Sequence, residues 1–321
     1  MEGLNKIFCG SDVKNTGICE CFFDVALIDG AILVPKTKVF TETELSDANI
    51  QATLEAAAEA IKADRIFPFG PFEAITDNTE DPTRQTFGYG TVKTVREGKY
   101  NWLFQFINGG LNLSNALRSF NGLIGKYAVI FKESKNTLIG TSRKDVNGNW
   151  GLAGIPLADL YTRPWRPSDG SNVTNYGIEF SFDPVYINEK IAFKRVSIDS
   201  YLLSEFVGLE DIVLTLVEAV EGETTIEVSA ATDCGSTDVY DLYADALATP
   251  SAWVLKNEAG DEQTISGVVA NDATKTWTIT RSEGTNADGD TLSLAAPTVL
   301  SQAPISVQGY ESNTITLDFG S

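Results

Sequence analysis

The side chain that most enzymes use as a general base is missing from this chain. Its 321 residues include no histidine, so the serine–histidine–aspartate and cysteine–histidine arrangements of nucleophilic catalysis cannot form. Pairs of carboxylates could still hydrolyse glycosides, but no acidic residue stands beside an aromatic platform for a sugar in the sequence. We therefore expect a protein that is not an enzyme and that needs no cofactor.

Two loops carry oxygen-bearing side chains at alternate positions, as calcium-binding loops do. They are the segment 145–149 and the segment that contains Asn286, Asp288 and Asp290. Neither has, at the right spacing, the glutamate that completes an EF-hand. Each also contains the glycine that a tight hairpin turn requires. A calcium site at Asn286, Asp288 and Asp290 and an ordinary turn therefore stand as the two interpretations.

The chain contains four cysteines, Cys9, Cys19, Cys21 and Cys234. Because histidine is absent, a zinc site would need all four thiolates, and Cys19 and Cys21 lack the usual two-residue spacing. Free reduced thiols are the simpler expectation for a protein that is made in a cytoplasm. We therefore assign no metal to the cysteines.

The segment 161–167 contains two arginines and two prolines beside a tyrosine and a tryptophan. Arginine and tryptophan are enriched at the centres of protein–protein contacts. Arg163, Trp165 and Arg166 are therefore candidate residues of a subunit interface. The alternative is that Trp165 covers the core beneath a proline-rich crossover.

The negative charge of the chain is concentrated in its last third. Residues 208–321 hold nineteen Asp and Glu but only Lys256, Lys275 and Arg281, whereas residues 1–207 hold 25 acids and 21 bases. The change predicts two domains, 1–207 and 208–321. A net charge of −20 argues against wrapping nucleic acid, which needs clustered lysine and arginine. It suits a surface past which DNA slides without binding.

Neither end of the chain nor its middle indicates a membrane protein. The first residues lack the basic start and apolar core of a secretory signal. No run approaches the roughly 18 apolar residues that a membrane-spanning helix needs. We therefore expect a soluble protein that is synthesised in a cytoplasm.

Residues 1–84 are predicted to contain a hairpin and a helix. The hairpin covers 22–35 and turns at Asp29-Gly30, because Asp-Gly between apolar runs favours a tight turn. The helix covers 46–64, begins at Ser46 as its N-cap, and buries one face formed by Ile50, Leu54, Ala57 and Ile61. The segment 77–84 is polar and is predicted to be an exposed loop.

Strands dominate the pattern from residue 85 onwards. An aromatic hairpin is predicted to pair 85–95 with 100–107, and a helix over 112–121 follows with Ser114 as its cap and Gly122 at its end. Further strands are predicted at 127–132, 137–142, 176–183, 191–198, 213–218, 224–230, 252–257, 275–280 and 312–318. The spacing of the last five is typical of a β-sandwich.

In element order, residues 85–198 resemble the tail tube proteins of long-tailed bacteriophages. The resemblance consists of an aromatic hairpin (Thr86–Ile107), a short helix (Asn112–Asn121), a strand pair (Tyr127–Ser142) and a closing strand that ends at Asp183-Pro184. That family builds a small β-sandwich or barrel flanked by helices, and its members often carry an outer immunoglobulin-like domain, which residues 208–321 resemble. The fold implied is mainly β, with an α+β N-terminal domain.

The resemblance implies a structural virion protein. Six copies would close a ring, the rings would stack into a tube in the phage tail, and DNA would pass through as cargo that does not bind. The partners would be further copies of the chain and other virion proteins. The loop at 77–84 with its hairpin would form an arm between rings. The helix at 46–64 does not map onto the simplest tube subunits, so a connector, ring or capsid component of the same virion stays open.

A binding protein is the alternative from another functional class. The acidic sandwich of a fibre or decoration protein could bind a host carbohydrate through exposed aromatic residues. Trp253 and Trp277 are the only tryptophans in residues 208–321. Both fall within predicted strands, which favours packing in the core.

Overall fold

The computed structural model describes residues 5–6, 27–106, 110–123, 125–134, 137–168, 175–195, 209–233, 236–307 and 309–320. The protein is mainly β, with 47% strand and 14% helix. It divides into two compact units, Met1–Val207 and Gly208–Ser321, and the division falls where the charge changes. No helix in these described ranges is long and apolar enough to cross a membrane.

The first unit combines strands with three helices in its described part. The strands are β1 (Asn5–Lys6), β2 (Ile28–Pro35), β3 (Val39–Thr41), β4 (Phe67–Phe69), β5 (Ala74–Asp77), β6 (Thr83–Thr86), β7 (Val92–Arg96), β8 (Tyr100–Phe106), β9 (Tyr127–Glu133), β10 (Thr137–Lys144), β11 (Trp150–Ala153), β12 (Ile155–Arg166), β13 (Asn175–Phe182) and β14 (Ile191–Arg195). The helices are α1 (Ile50–Ala58), α2 (Gly110–Arg118) and α3 (Pro184–Glu189).

Twelve of these strands form one sheet that curls into two layers. The first layer contains β2, β9, β10 and β14, and the second has the order β12-β13-β8-β5. β12 joins them, because it pairs with β9 at Ile155 and Pro156 and then with β13. Rings of Phe104, Phe131 and Phe180 fill the space between the layers. Alternating residues of β8 and β13 therefore point into an aromatic core.

Helix α1 covers the other face of the first layer. Ile50 and Leu54 pack with Ile130 and Leu138 in a second core. The helix is shorter than predicted, and Ile61 lies beyond its end with 71% of its surface exposed. Ser46 is not its N-cap, since the Ser46 hydroxyl donates to the carbonyl of Thr43.

Several predicted turns and caps of the first unit are wrong. Asp29-Gly30 lies inside β2 and not in a turn. The pairing of β2 with β9 shifts register there, between Ile28 and Gly30. Ser114 is a buried residue within α2 and not its cap. Gly122, by contrast, has the predicted left-handed conformation after α2, with a φ of 79°.

The aromatic hairpin has different partners from those predicted. β6 and β7 pair with each other as a separate two-stranded sheet. β8 pairs with β5 on one side and with β13 on the other. The strand pair β9–β10 and the strand β13 agree with the sequence prediction.

The second unit is a β-sandwich with a single core in its described part. Its strands are β15 (Glu210–Ala219), β16 (Thr225–Thr232), β17 (Trp253–Lys256), β18 (Glu262–Gln263), β19 (Ile265–Asn271), β20 (Thr276–Arg281), β21 (Thr291–Leu294), β22 (Tyr310–Ser312) and β23 (Ile315–Thr316). Sheets of order β19-β20-β16-β15-β22 and β18-β17-β21-β23 enclose the core, beside helices α4 (Tyr240–Leu247) and α5 (Pro297–Leu300).

Candidate functional site

An ionic network crosses three neighbouring strands of the β12-β13-β8-β5 layer. Glu179 on β13 lies between Arg163 on β12 and Asn101 on β8. Its Oε2 accepts hydrogen bonds from Arg163 Nε at 3.1 Å and Nη2 at 3.0 Å, and its Oε1 accepts one from Asn101 Nδ2 at 2.5 Å. Glu179 alternates with the core residues Ile178 and Phe180, so the network lies on the outer face of the layer.

The three candidate interface residues therefore have different surroundings. Trp165 packs against the aromatic core, and its indole Nε1 is buried with no hydrogen-bond partner among the described residues. Arg163 is held by Glu179, whereas Arg166 ends β12 in an exposed position. The interpretation that Trp165 covers the core agrees with this geometry. Arg166 is the most exposed of the three, and Arg163 is partly exposed.

Most side-chain polar atoms of the 286–290 loop have partners within the fold, although Asn286 Oδ1 is buried with no hydrogen-bond partner among the described residues. Asp290 Oδ2 accepts from Arg281 Nη1 at 2.6 Å and from the Ala287 amide at 3.1 Å. Asn286 Nδ2 donates to the carbonyl oxygens of Val220 and Thr225, while Asp288 Oδ1 accepts from the Phe319 amide. The three predicted calcium ligands thus lie in one loop but serve separate partners. A cation would have to compete with Arg281 for Asp290.

The 145–149 loop forms the tip of the β10–β11 hairpin, which agrees with the second of its two interpretations, an ordinary turn. Asp145 Oδ1 accepts from the amides of Asn147 at 2.9 Å and Asn149 at 2.8 Å. Burial opposes ionisation, but these hydrogen bonds outweigh it and lower the pKa of Asp145 below 3.8. The carboxylate therefore stabilises its own turn.

Metal ligation finds no further support in the described ranges. No group of three or more Cys, Asp or Glu side chains there could hold a metal ion. Cys9, Cys19, Cys21 and Cys234 all lie outside the described residues.

Both tryptophans of the second unit belong to its core. Trp277 is fully buried and Trp253 nearly so, with their ring centroids 5.9 Å apart. Trp277 Nε1 donates to the carbonyl of Ala244, and Trp253 Nε1 donates to that of Leu247. Neither ring offers a face to a sugar.

Three tyrosine hydroxyls have raised pKa values. Burial raises the pKa of Tyr176 to about 12. For Tyr240 and Tyr310 burial is again the largest cause, with added contributions from Asp272 and Tyr243 respectively, and each pKa is about 12. These groups stay protonated near neutral pH and act as packing residues.

A projecting hairpin is the most exposed feature of the first unit. We call residues 78–99 the arm. All of its residues are exposed except Gly98, which is buried, and Thr79, which is partly buried. Its base is fastened by hydrogen bonds from the Glu80 amide to the Lys99 carbonyl and from Arg96 to the Glu80 carboxylate. Residues 81–97 of the arm are exposed to solvent.

Four large aromatic or aliphatic side chains of the arm are exposed. Phe87, Val92 and Val95 are 46%, 53% and 62% exposed, and Tyr89 at the tip is 102% exposed. A two-stranded hairpin is marginally stable in water unless it packs against something. The aromatic residues indicate a hairpin in the sequence, but their spacing does not show that β6 and β7 lie outside the core.

No protein-family model matches the chain, and neither a curated protein nor a solved structure matches it significantly. The functional conclusion therefore depends on the sequence and on the geometry of each unit.

Proposed function

We propose that the chain is a structural subunit of a tailed-phage virion, whose copies form the stacked hexameric rings of the tail tube. The observation that carries the proposal is the arm with its exposed Phe87, Tyr89, Val92 and Val95. Soluble monomers do not keep such a hairpin uncovered, because it exposes apolar surface and gains little stability alone. A second copy of the chain would cover it.

The sheet edge beside the arm supports the same proposal. β5 ends the β12-β13-β8-β5 layer, all four of its residues are exposed, and it leads directly into the arm. Monomeric proteins protect such edges with short strands, prolines or inward charges. β5 is short, but it lacks proline and its only charge is Asp77 at its end. An edge of this kind suits contact between copies in a closed ring.

The distribution of charge fits a conduit for DNA. With 25 acids and 21 bases, residues 1–207 are nearly neutral, so a channel lined by this unit would neither trap nor strongly repel the phosphate backbone. The second unit, a β-sandwich that we propose to be immunoglobulin-like, carries the charge that keeps a long polymer in solution. It would lie on the outside of the tube.

Electron microscopy of the purified full-length chain tests the proposal. We expect rings of six copies that stack into tubes as the protein concentration rises. A chain that stays monomeric at high concentration would contradict it. Copy number per virion separates the alternatives within the same particle, since a tube needs many rings and a connector needs one.

A further inference from the structure

An open groove lies beside helix α1 in the first unit. Its volume is about 510 Å³, within the range of about 300–1,000 Å³ that is usual for binding pockets. Ala52, Ala56 and Ala60 line it, and the charged residues of its lining are Glu44, Asp64 and Lys38. We call this cavity the α1 groove.

The lining of the α1 groove carries a small excess of negative charge, since it holds two carboxylates, Glu44 and Asp64, and one lysine, Lys38. The alanines leave space that larger side chains would fill, and Ala52 and Ala56 are exposed. The groove therefore offers a small apolar wall with two carboxylates beside it.

The outer part of the arm is basic, although Glu80, Asp81 and Glu97 lie nearer its base. Residues 82–96 contain Arg84, Lys93 and Arg96 and no acid, in a chain whose net charge is −20. Arg96 pairs with Glu80, whereas no ion pair joins Arg84 or Lys93 to another described residue. Arg84 and Lys93 thus lie on β6 and β7, the two strands joined by the turn that contains the exposed Phe87 and Tyr89.

We propose that the tip of the arm of one copy docks in the α1 groove of a second copy, with Tyr89 against the alanines and Arg84 and Lys93 near the carboxylates. The arm cannot fill the groove of its own chain in this conformation, because Tyr89 is completely exposed. Opposite charges and matching apolar surfaces select the pair. The inference rests on the proposed self-assembly and names the surfaces that make it.

Disulfide trapping tests this contact directly. Chains with Tyr89→Cys and chains with Ala56→Cys are mixed, oxidised and separated on a non-reducing gel. We expect a linked dimer mainly in the mixture, and each variant alone measures the background from the native cysteines. Gln51→Cys is the matched control, because Gln51 is exposed on the same helix but does not line the groove.

Two further substitutions test the contact through assembly. Ala56→Trp should fill the groove and prevent ring or tube formation, whereas Gln51→Trp should not. The double variant Arg84→Glu and Lys93→Glu should raise the concentration at which assembly begins by roughly tenfold, and high salt should weaken assembly of the wild type. Circular dichroism checks that each variant is folded.

The outcomes separate this inference from the proposed function. If the wild type forms rings but the Tyr89–Ala56 disulfide is no more abundant than the Gln51 control, the contact is wrong and the tube proposal stands. If the wild type never assembles, both are wrong. If the charge reversals abolish binding of a DNA duplex and leave assembly unchanged, the arm binds nucleic acid and the inference is overturned.

Discussion

Arg281 and Asp290 form an ion pair inside the second unit, with 4% of each side chain exposed and 2.6 Å between Arg281 Nη1 and Asp290 Oδ2. Arg281 Nη1 also donates to the carbonyl of Thr285. Removing one member of such a pair leaves the other charge buried and uncompensated. The pair therefore fixes the 282–290 loop against β20.

The first prediction concerns this pair. Asp290→Asn should lower the free energy of unfolding of the second unit by about 3–5 kcal/mol, because Arg281 keeps its charge without a counter-ion. Urea unfolding followed by tryptophan fluorescence measures the change. Asp288→Asn is the control, since an amide oxygen can still accept from the Phe319 amide. Equal losses in the two variants would contradict a specific role for the buried pair.

The second prediction concerns the network on the outer face of the first unit. A double-mutant cycle with Arg163→Ala and Glu179→Ala should give a coupling energy of roughly 0.5–1 kcal/mol, because the pair is partly exposed and screened by water. Arg166→Ala, at an exposed position, should change stability by less than about 0.5 kcal/mol. A coupling energy near zero would show that the two side chains act independently.

The third prediction concerns Gly177, over which the Leu103 side chain lies. A Cβ at this position would approach Leu103 Cδ1 to 2.7 Å and the Phe104 carbonyl oxygen to 2.8 Å. Gly177→Ala should therefore destabilise the first unit by about 1–3 kcal/mol. Gly125→Ala is the matched control, since nothing lies within 4 Å of a Cβ there. Thermal unfolding of both variants decides whether the close approach matters.

The fourth prediction concerns alkaline pH. The pKa of Tyr176 is about 12 in the folded protein and about 10 in the unfolded chain, so only the unfolded chain releases this proton between these values. The contribution of Tyr176 to stability should be constant below pH 10 and should be lost as the pH rises towards 12. Tyr176→Phe should make this fall less steep in urea unfolding of the first unit. An unchanged slope would contradict the assignment.

The alternation of apolar and polar residues predicted strands well where one face of the strand lies against the core and the other faces outwards. β13 alternates between the core and the outer face, and its predicted bounds differ from the observed ones by a single residue. Strand partners could not be read from the same pattern, because β8 pairs with residues 74–77 and 176–182, which are distant in sequence. The Glu-Gly-Lys sequence at 97–99 resembled a hairpin turn but forms the base of the arm.

The candidate interaction residues show a similar limit. Arg163 is a candidate in the sequence because arginine beside tryptophan and proline is unusual. Its partner Glu179 is one of 44 acids, and nothing in the sequence marks it as the partner. The sequence presents Asp290 as a possible cation ligand, because it does not show that the Asp290 carboxylate pairs with Arg281 in the fold. Charge composition predicts a surface, but pairs of charges depend on tertiary structure.

Gly98 has a consequence for how this protein can diversify. Any other residue there would place its Cβ on the Glu80 carbonyl. The two segments of the chain at the base of the arm can therefore approach each other this closely only if residue 98 is glycine. Beyond that point, the tip from Phe87 to Thr91 makes no contribution to the buried core. Changes at the tip should therefore leave the buried core intact, whereas a single methyl group at position 98 would force the strands at the base of the arm apart.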